Sequence, residues 1–218
     1  MHVDLEIMKL ILIRHGETKE NLNKLVQGHL PGELTEKGKE QAKDVAIALK
    51  GEKIHAIFSS DLKRARDTCM EIAKYHAVPV NYTKQLRKSD SGIYSGRPKA
   101  ELTKAYETAF LRNGTSKLAF KPNGGESILE VKERVQRFFE SLRFYYEDKT
   151  VAIITHAEII SILAHIYNAV PIERAIANRY GHASVSIIEI SKKELCMPAS
   201  KDNYCGRDGL SRFVSRHL

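Results

Sequence analysis

Apolar and polar positions change period along this chain in a repeating order. Met8 to Ile13 is an almost continuous apolar run of strand length, the pattern of a strand covered on both faces. After a loop through Pro31-Gly32, Thr35 stands as an N-cap, and Ala42, Val45, Ala46 and Leu49 fall on one face of a helix. Ala56 to Phe58 reads as a short strand. Ser60 is placed to cap the helix that follows, whose apolar stripe is Leu62, Ala65, Cys69, Ile72 and Ala73. Val78 to Tyr82 is a further strand. From Thr83 to Pro122 the pattern is irregular, with one helix over Glu101 to Arg112, and reads as an insertion. Ser127 and Glu130 match a capping box ahead of a long amphipathic helix carrying Val131, Val135, Phe138, Leu142 and Tyr145. A strand over Thr150 to Thr155, a helix over Ile159 to Tyr167 and a strand over Val185 to Ile190 complete the pattern. Ser191 to Leu218 is polar and without clear period, and no internal repeat is present.

Strands alternating with helices predict an α/β fold of three layers, α/β/α, with a mainly parallel sheet and helices on both faces. In such folds, sites form beyond the carboxyl ends of strands. Arg14, His15 and Gly16 occupy such an end, where an apolar strand breaks into two basic side chains.

At 218 residues the chain suits one large domain. The expected division is a domain over 1–190, with 83–122 as an inserted cap-like segment, and a tail over 191–218. Lysine and arginine total 35 against 27 acidic residues, a net charge of +8, which admits acidic small molecules, phosphate esters and nucleic acid as partners. The longest apolar runs are only strand length and nothing resembles a signal peptide, so a cytoplasmic protein with no membrane partner is expected. Cys69, Cys196 and Cys205 form no C-x-x-C pair, which argues for reduced thiols and against a thiolate zinc site.

Several ordered blocks carry a resemblance to a known family. Arg14-His15-Gly16-Glu17-Thr18 with Asn21, then Gln27-Gly28, Leu34-Thr35-Glu36-Lys37-Gly38 and Gln41-Ala42 are followed by Ser59-Ser60-Asp61-Leu62, Arg64-Ala65 and Thr68. Gly124-Gly125-Glu126-Ser127 and Thr155-His156 close the series. Together, over Met8 to Ile190, they resemble the histidine phosphatase superfamily in its phosphoglycerate mutase-like branch. The resemblance implies that His15 is the nucleophile and forms a phosphohistidine. It also implies that Arg14 and Arg64 grip phosphoryl oxygens, that His156 donates to them, and that Asn21 and Gly16 support the pocket. No metal or other cofactor is implied, because arginines supply the countercharge that magnesium gives elsewhere. His29, His55, His76, His165 and His217 lack motif context, while His182, where the family often has asparagine, is left between a pocket-edge role and none.

The sequence departs from the family in one functional place. The usual L-R-E-x-x-x-G-x-x-x-G has become Leu86-Arg87-Lys88 with Gly92 and Gly96 in register, so Lys88 stands where the acid that protonates the leaving oxygen belongs. A lysine is a poor acid near neutrality unless burial lowers its pKa. Lys88 is read as a possible clamp on a second anionic group. Asp90, two residues on, is the nearest replacement acid, with Glu17, Glu126 and Glu158 as unranked alternatives. Ala157, beside the phosphate, replaces the glycine usual after the second histidine. The basic run Lys84, Arg87, Lys88, Arg97, Lys99 and Lys104 is either a cap attracting a second negative group or a solvated face.

The expected activity is therefore metal-independent hydrolysis of a small phosphorylated metabolite. The alternatives are a mutase returning the phosphoryl group to another hydroxyl, and a phosphate-ester-binding pseudoenzyme suggested by Lys88. Nucleic acid is not expected as a partner, since no recognised module is present. A homodimer is compatible with the sequence.

Overall fold

In the computed structural model, residues 7–168, 170–178, 180–191 and 212–216 are described. Six strands, β1 (Ile7–Arg14), β2 (Ala56–Ser60), β3 (Val80–Thr83), β4 (Thr150–Thr155), β5 (Val185–Ser191) and β6 (Arg212–Arg216), form one sheet in the order β3-β2-β4-β1-β5-β6. The pairs β3–β2, β2–β4 and β4–β1 are parallel, and β1–β5 and β5–β6 are antiparallel. The sheet is thus mainly parallel. The helices are α1 (Lys19–Leu22), α2 (Glu36–Leu49), α3 (Lys63–Ala73), α4 (Lys99–Asn113), α5 (Ile128–Tyr145), α6 (Ala157–Asn168) and α7 (Ile172–Ala177), with short 3-10 turns at Lys84–Leu86 and Gly92–Tyr94.

Strand alternation divides the apolar run of β1 between two cores. Leu10 and Leu12 face α5 and α6, packing with Val131, Val135, Phe139, Ile159 and Leu163. Ile11 and Ile13 face α2 and α3, packing with Val45, Leu49, Ala65 and Ile72. All four are wholly buried, each contributing roughly 1.5–3 kcal/mol of hydrophobic stabilisation. This sandwiching fixes β1 at the centre of the sheet and so fixes its end.

The expected caps hold in two of three places. Thr35 accepts from the Gly38 amide at 2.9 Å, and Ser127 and Glu130 form the reciprocal box. Ser60 does not cap α3: Leu62 holds the N-cap position with no side-chain bond, and the Ser60 hydroxyl turns to His156 instead. On α5 the fully buried ring is Phe139. Phe138 is partly buried, edge-on to Phe58 at 5.8 Å, and Tyr145, at the end of the helix, lies 73% exposed beyond the core. α1 and α7 are too short to carry an apolar stripe and left no periodic signal. β6 lies within the stretch that reads as a polar tail, and Cys196 and Cys205 fall outside the described residues, whereas Cys69 is a buried free thiol. Among the described residues no helix is long and apolar enough to cross a membrane.

Candidate active site

Because β1 and β4 are parallel neighbours with Arg14 opposite Thr155, their carboxyl ends bring His15 and His156 side by side. The His15 amide donates to the Thr155 carbonyl at 3.0 Å, and the two imidazoles stand edge-to-face with centroids 5.2 Å apart. The His15 ring is buried, and its Nδ1 lies 2.8 Å from the Gly16 carbonyl. A carbonyl only accepts, so Nδ1 carries the proton and Nε2 keeps its lone pair. Burial, followed by the charges of Arg64 and Arg14, holds the His15 pKa well below the usual histidine value. The ring is neutral near neutrality.

Arg64, in the first turn of α3, is 0% exposed. Its Nη atoms donate to the carbonyls of Leu30 (2.6 Å), Pro31 (3.3 Å) and Gly28 (3.0 Å), a cradle of backbone that orients the guanidinium. Arg14 donates to the Tyr180 carbonyl. Burial lowers the pKa of each arginine to about 10, which leaves both charged. The Nε atom of each is buried with no protein partner. On His156, Nε2 lies 2.9 Å from the Ser60 hydroxyl, which already accepts from the Leu62 amide at 3.4 Å. A hydroxyl that donates to Nε2 places the ring proton on Nδ1, and that atom too is buried without a partner. Burial, then Arg64 and His15, keeps the His156 pKa well below the usual value.

These side chains line a cavity of about 290 Å³. Arg14, Arg64 and His156 all line it, and each carries a buried polar nitrogen without a protein partner, a set of cationic and imidazole side chains suited to a tetrahedral anion. Asn21 adds a fourth: its Oδ1 is occupied by Thr18 and by the Nε2–H of His182 at 3.0 Å, which leaves its amide nitrogen for the cavity. His182, which the sequence left undecided, is thus a positioning partner of Asn21, 6.1 Å from the His15 ring, its pKa pushed down to about 4 by burial and then by Arg14. Ala157 opens α6 at the cavity wall, where helix-terminal amides favour an anion. Lys99, Leu102, Thr103 and Tyr106, one face of α4, close the other side. The segment between β3 and α5 therefore covers the pocket, and of its basic run Lys88 and Lys99 line the cavity, while Arg87 pairs with Asp61 and Arg97 with Glu101.

Two expected site residues are not in the cavity. Gly16 donates to Thr68 Oγ1 at 3.1 Å and does not line it. Its role is close approach: a Cβ on Gly16 would stand 2.4 Å from the Gly38 carbonyl oxygen, and one on Gly38 2.0 Å from that of Glu17. Gly38→Ala is accordingly expected to destabilise the protein by about 1–3 kcal/mol, read as a lower denaturant midpoint. Asp90 is also elsewhere. Its carboxylate accepts from the Gly92 amide at 2.9 Å and meets His29 Nδ1 at 3.2 Å, a local turn beside the left-handed Gly92, and it does not line the cavity. Glu17 is bound to Thr35 and Glu126 to Arg134. Among the described residues, Glu158 is the one carboxylate lining the cavity, accepting from the Ser89 amide (2.7 Å) and hydroxyl (3.0 Å). Among the described residues, no group of three or more His, Cys, Asp or Glu side chains could hold a metal ion.

Comparison with known proteins agrees with this geometry. The family model described as the histidine phosphatase superfamily (branch 1) matches residues 10–201. Phosphoserine phosphatase 1 of Hydrogenobacter thermophilus is 35% identical over 150 residues, covering 69% of this chain and 71% of its own. A metal-independent phosphoserine phosphatase of Arabidopsis thaliana is 29% identical over 206 residues, covering 92% and 84%. The native structure of mycobacterial glucosyl-3-phosphoglycerate phosphatase superposes with a TM-score of 0.73 at 27% identity, covering 84% of this chain and 91% of that one.

Proposed function

Because this chain belongs to the histidine phosphatase superfamily and is a phosphatase of small phosphorylated substrates, we propose that it works without a metal, through a phosphohistidine on His15. The observation that carries this reading is a neutral His15, its Nδ1 proton held by the Gly16 carbonyl, lining one cavity with Arg14, Arg64 and His156.

The substrate's phosphoryl oxygens accept from Nε of Arg14 and Arg64, from Nδ1 of His156 and from the Asn21 amide. His15 Nε2 attacks phosphorus as the ester P–O bond breaks. Charge spreading over the equatorial oxygens meets donors already oriented by the backbone cradle and by Ser60, so little reorganisation is needed during reaction. Water then attacks the phosphohistidine, and the P–N electron pair returns to Nε2. The arginines supply the countercharge throughout. A metal-independent relative among the phosphoserine phosphatases supports this assignment.

The test is a panel of phosphomonoesters assayed for inorganic phosphate with excess chelator, alongside rapid-quench labelling. Turnover is expected to survive the chelator, and the protein-bound phosphoryl group to be lost in acid and kept in alkali. Chelator-sensitive turnover, or a label of the opposite stability, would rule the reading out.

A further inference from the structure

Breaking an ester P–O bond leaves an oxygen that needs a proton, and the pocket offers no obvious carboxylic acid to give it. Asp90, Glu17 and Glu126 are engaged outside the cavity. Glu158 lines it, but both its oxygens accept from Ser89, the arrangement of a fixed carboxylate. Beside the groups given to the phosphoryl oxygens, three cavity-lining side chains carry a titratable proton: Lys88, Lys99 at the start of α4, and Tyr106. Burial pushes the Tyr106 hydroxyl up to about 12, and its ring is edge-on to Phe120 at 4.7 Å.

Lys88 is better placed. Its carbonyl accepts from His29 Nε2 at 2.9 Å, and the next residue is pinned by Glu158, so the backbone that carries this cavity-lining side chain is held in place. We propose that Lys88, at the cavity wall, is the proton donor to the leaving oxygen. This rests on the phosphohistidine reading above.

The charged and titratable groups facing Lys88 are Glu158, Arg64, Lys99, Arg14, His156 and Tyr106. Removal from water lowers its pKa, Glu158 opposes that shift, and Arg64, Lys99 and Arg14 add to it. An ammonium so placed gives up a proton more readily than one in water. As the bond from His15 Nε2 to phosphorus forms and the P–O bond breaks, a proton passes from Nζ to the ester oxygen; the alcohol departs and a neutral amine remains. In the second half, water attacks phosphorus and gives its proton to that amine while the P–N pair returns to His15, so phosphate leaves and the ammonium is restored.

The test compares an alkyl phosphate, whose leaving group needs a proton, with p-nitrophenyl phosphate, whose leaving group does not. In the parent, kcat for the alkyl ester is expected to fall as pH rises through a value below the ordinary lysine range near 10.4, with no such limb for the aryl ester. In Lys88→Arg, which keeps the charge but holds its proton, the aryl-to-alkyl ratio of kcat is expected to rise by ~10²- to 10⁴-fold. In Lys88→Ala, added methylamine should restore alkyl turnover in proportion to its concentration. Parental alkyl activity in Lys88→Arg would reduce Lys88 to a charge clamp. Equal loss on both esters without amine rescue would reduce it to a binding residue. Should the variants fail to fold, an alkyl profile in the parent with no basic limb overturns the role by itself. A parent that cleaves neither ester and takes no label defeats the phosphohistidine reading, whereas one that cleaves and labels normally while Lys88→Arg stays parental defeats only the donor.

Discussion

His15→Ala is expected to abolish phosphate release and phosphoenzyme formation together, a loss on the order of 10⁴- to 10⁶-fold, the scale seen when a nucleophile that works as part of a unit is removed. The protein should still fold. His15 is buried, but it borders the cavity and belongs to neither of the two apolar cores that hold β1. Its removal also relieves the burial of a ring between Arg14 and Arg64. The checks are the denaturant midpoint, expected near parental, and retained binding of phosphate or vanadate through the remaining donors. A well-folded His15→Ala protein that hydrolyses a good substrate at the parental rate removes His15 from the reaction. The parental protein should also keep forming the phosphoenzyme in mild acid, because the nucleophile is lost only as pH falls through a pKa lying well below the ordinary histidine value.

Arg64→Lys is expected to cost ~10²- to 10³-fold in kcat, the scale for one lost charge-stabilising donor, although formal charge is kept. Lysine has one nitrogen where arginine has three. It cannot satisfy the carbonyls of Gly28, Leu30 and Pro31 and still present the Nε–H to a phosphoryl oxygen. The same change leaves buried carbonyls unpaired, at about 1–3 kcal/mol of stability. Vanadate affinity and thermal unfolding should therefore fall together. Unaltered affinity for vanadate would show that Arg64 holds the loop and does not touch the anion.

The parts of this site that the sequence made legible sit where local pattern and position coincide. The apolar run of β1 announces a doubly covered strand, and such strands end at sites, so Arg14 and His15 stood out, as did His156 after β4. Arg64 was recognisable from its block and not from its charge, since a helical arginine is usually solvated. What escaped are contacts across long stretches of chain. Ser60 reads as a helix cap but bonds a histidine 96 positions away. His182 orients Asn21 across 161 positions, and His29 pins the Lys88 carbonyl across 59. None of these leaves a periodic trace. Asp90 stands out over Glu158 because it is near Lys88 in sequence, yet its carboxylate is taken up in the Gly92 turn outside the cavity lining, while the start of α6 brings Glu158 to the wall.

The pairing of β6 with β5 has a consequence for how the molecule behaves in company. β5 reads Val-Ser-Ile-Ile-Glu-Ile-Ser, with one charge and no proline, and without β6 its outer edge would offer a ladder of open backbone groups to any neighbouring chain. The opposite edge is guarded differently: β3 is only four residues long and follows Pro79 directly. β6 takes over as the edge, shorter than β5 and with an arginine at each end, so trimming the chain ahead of Arg212 trades a short charged edge for a longer, nearly uncharged one and puts colloidal stability at stake before it touches a single group of the reaction centre.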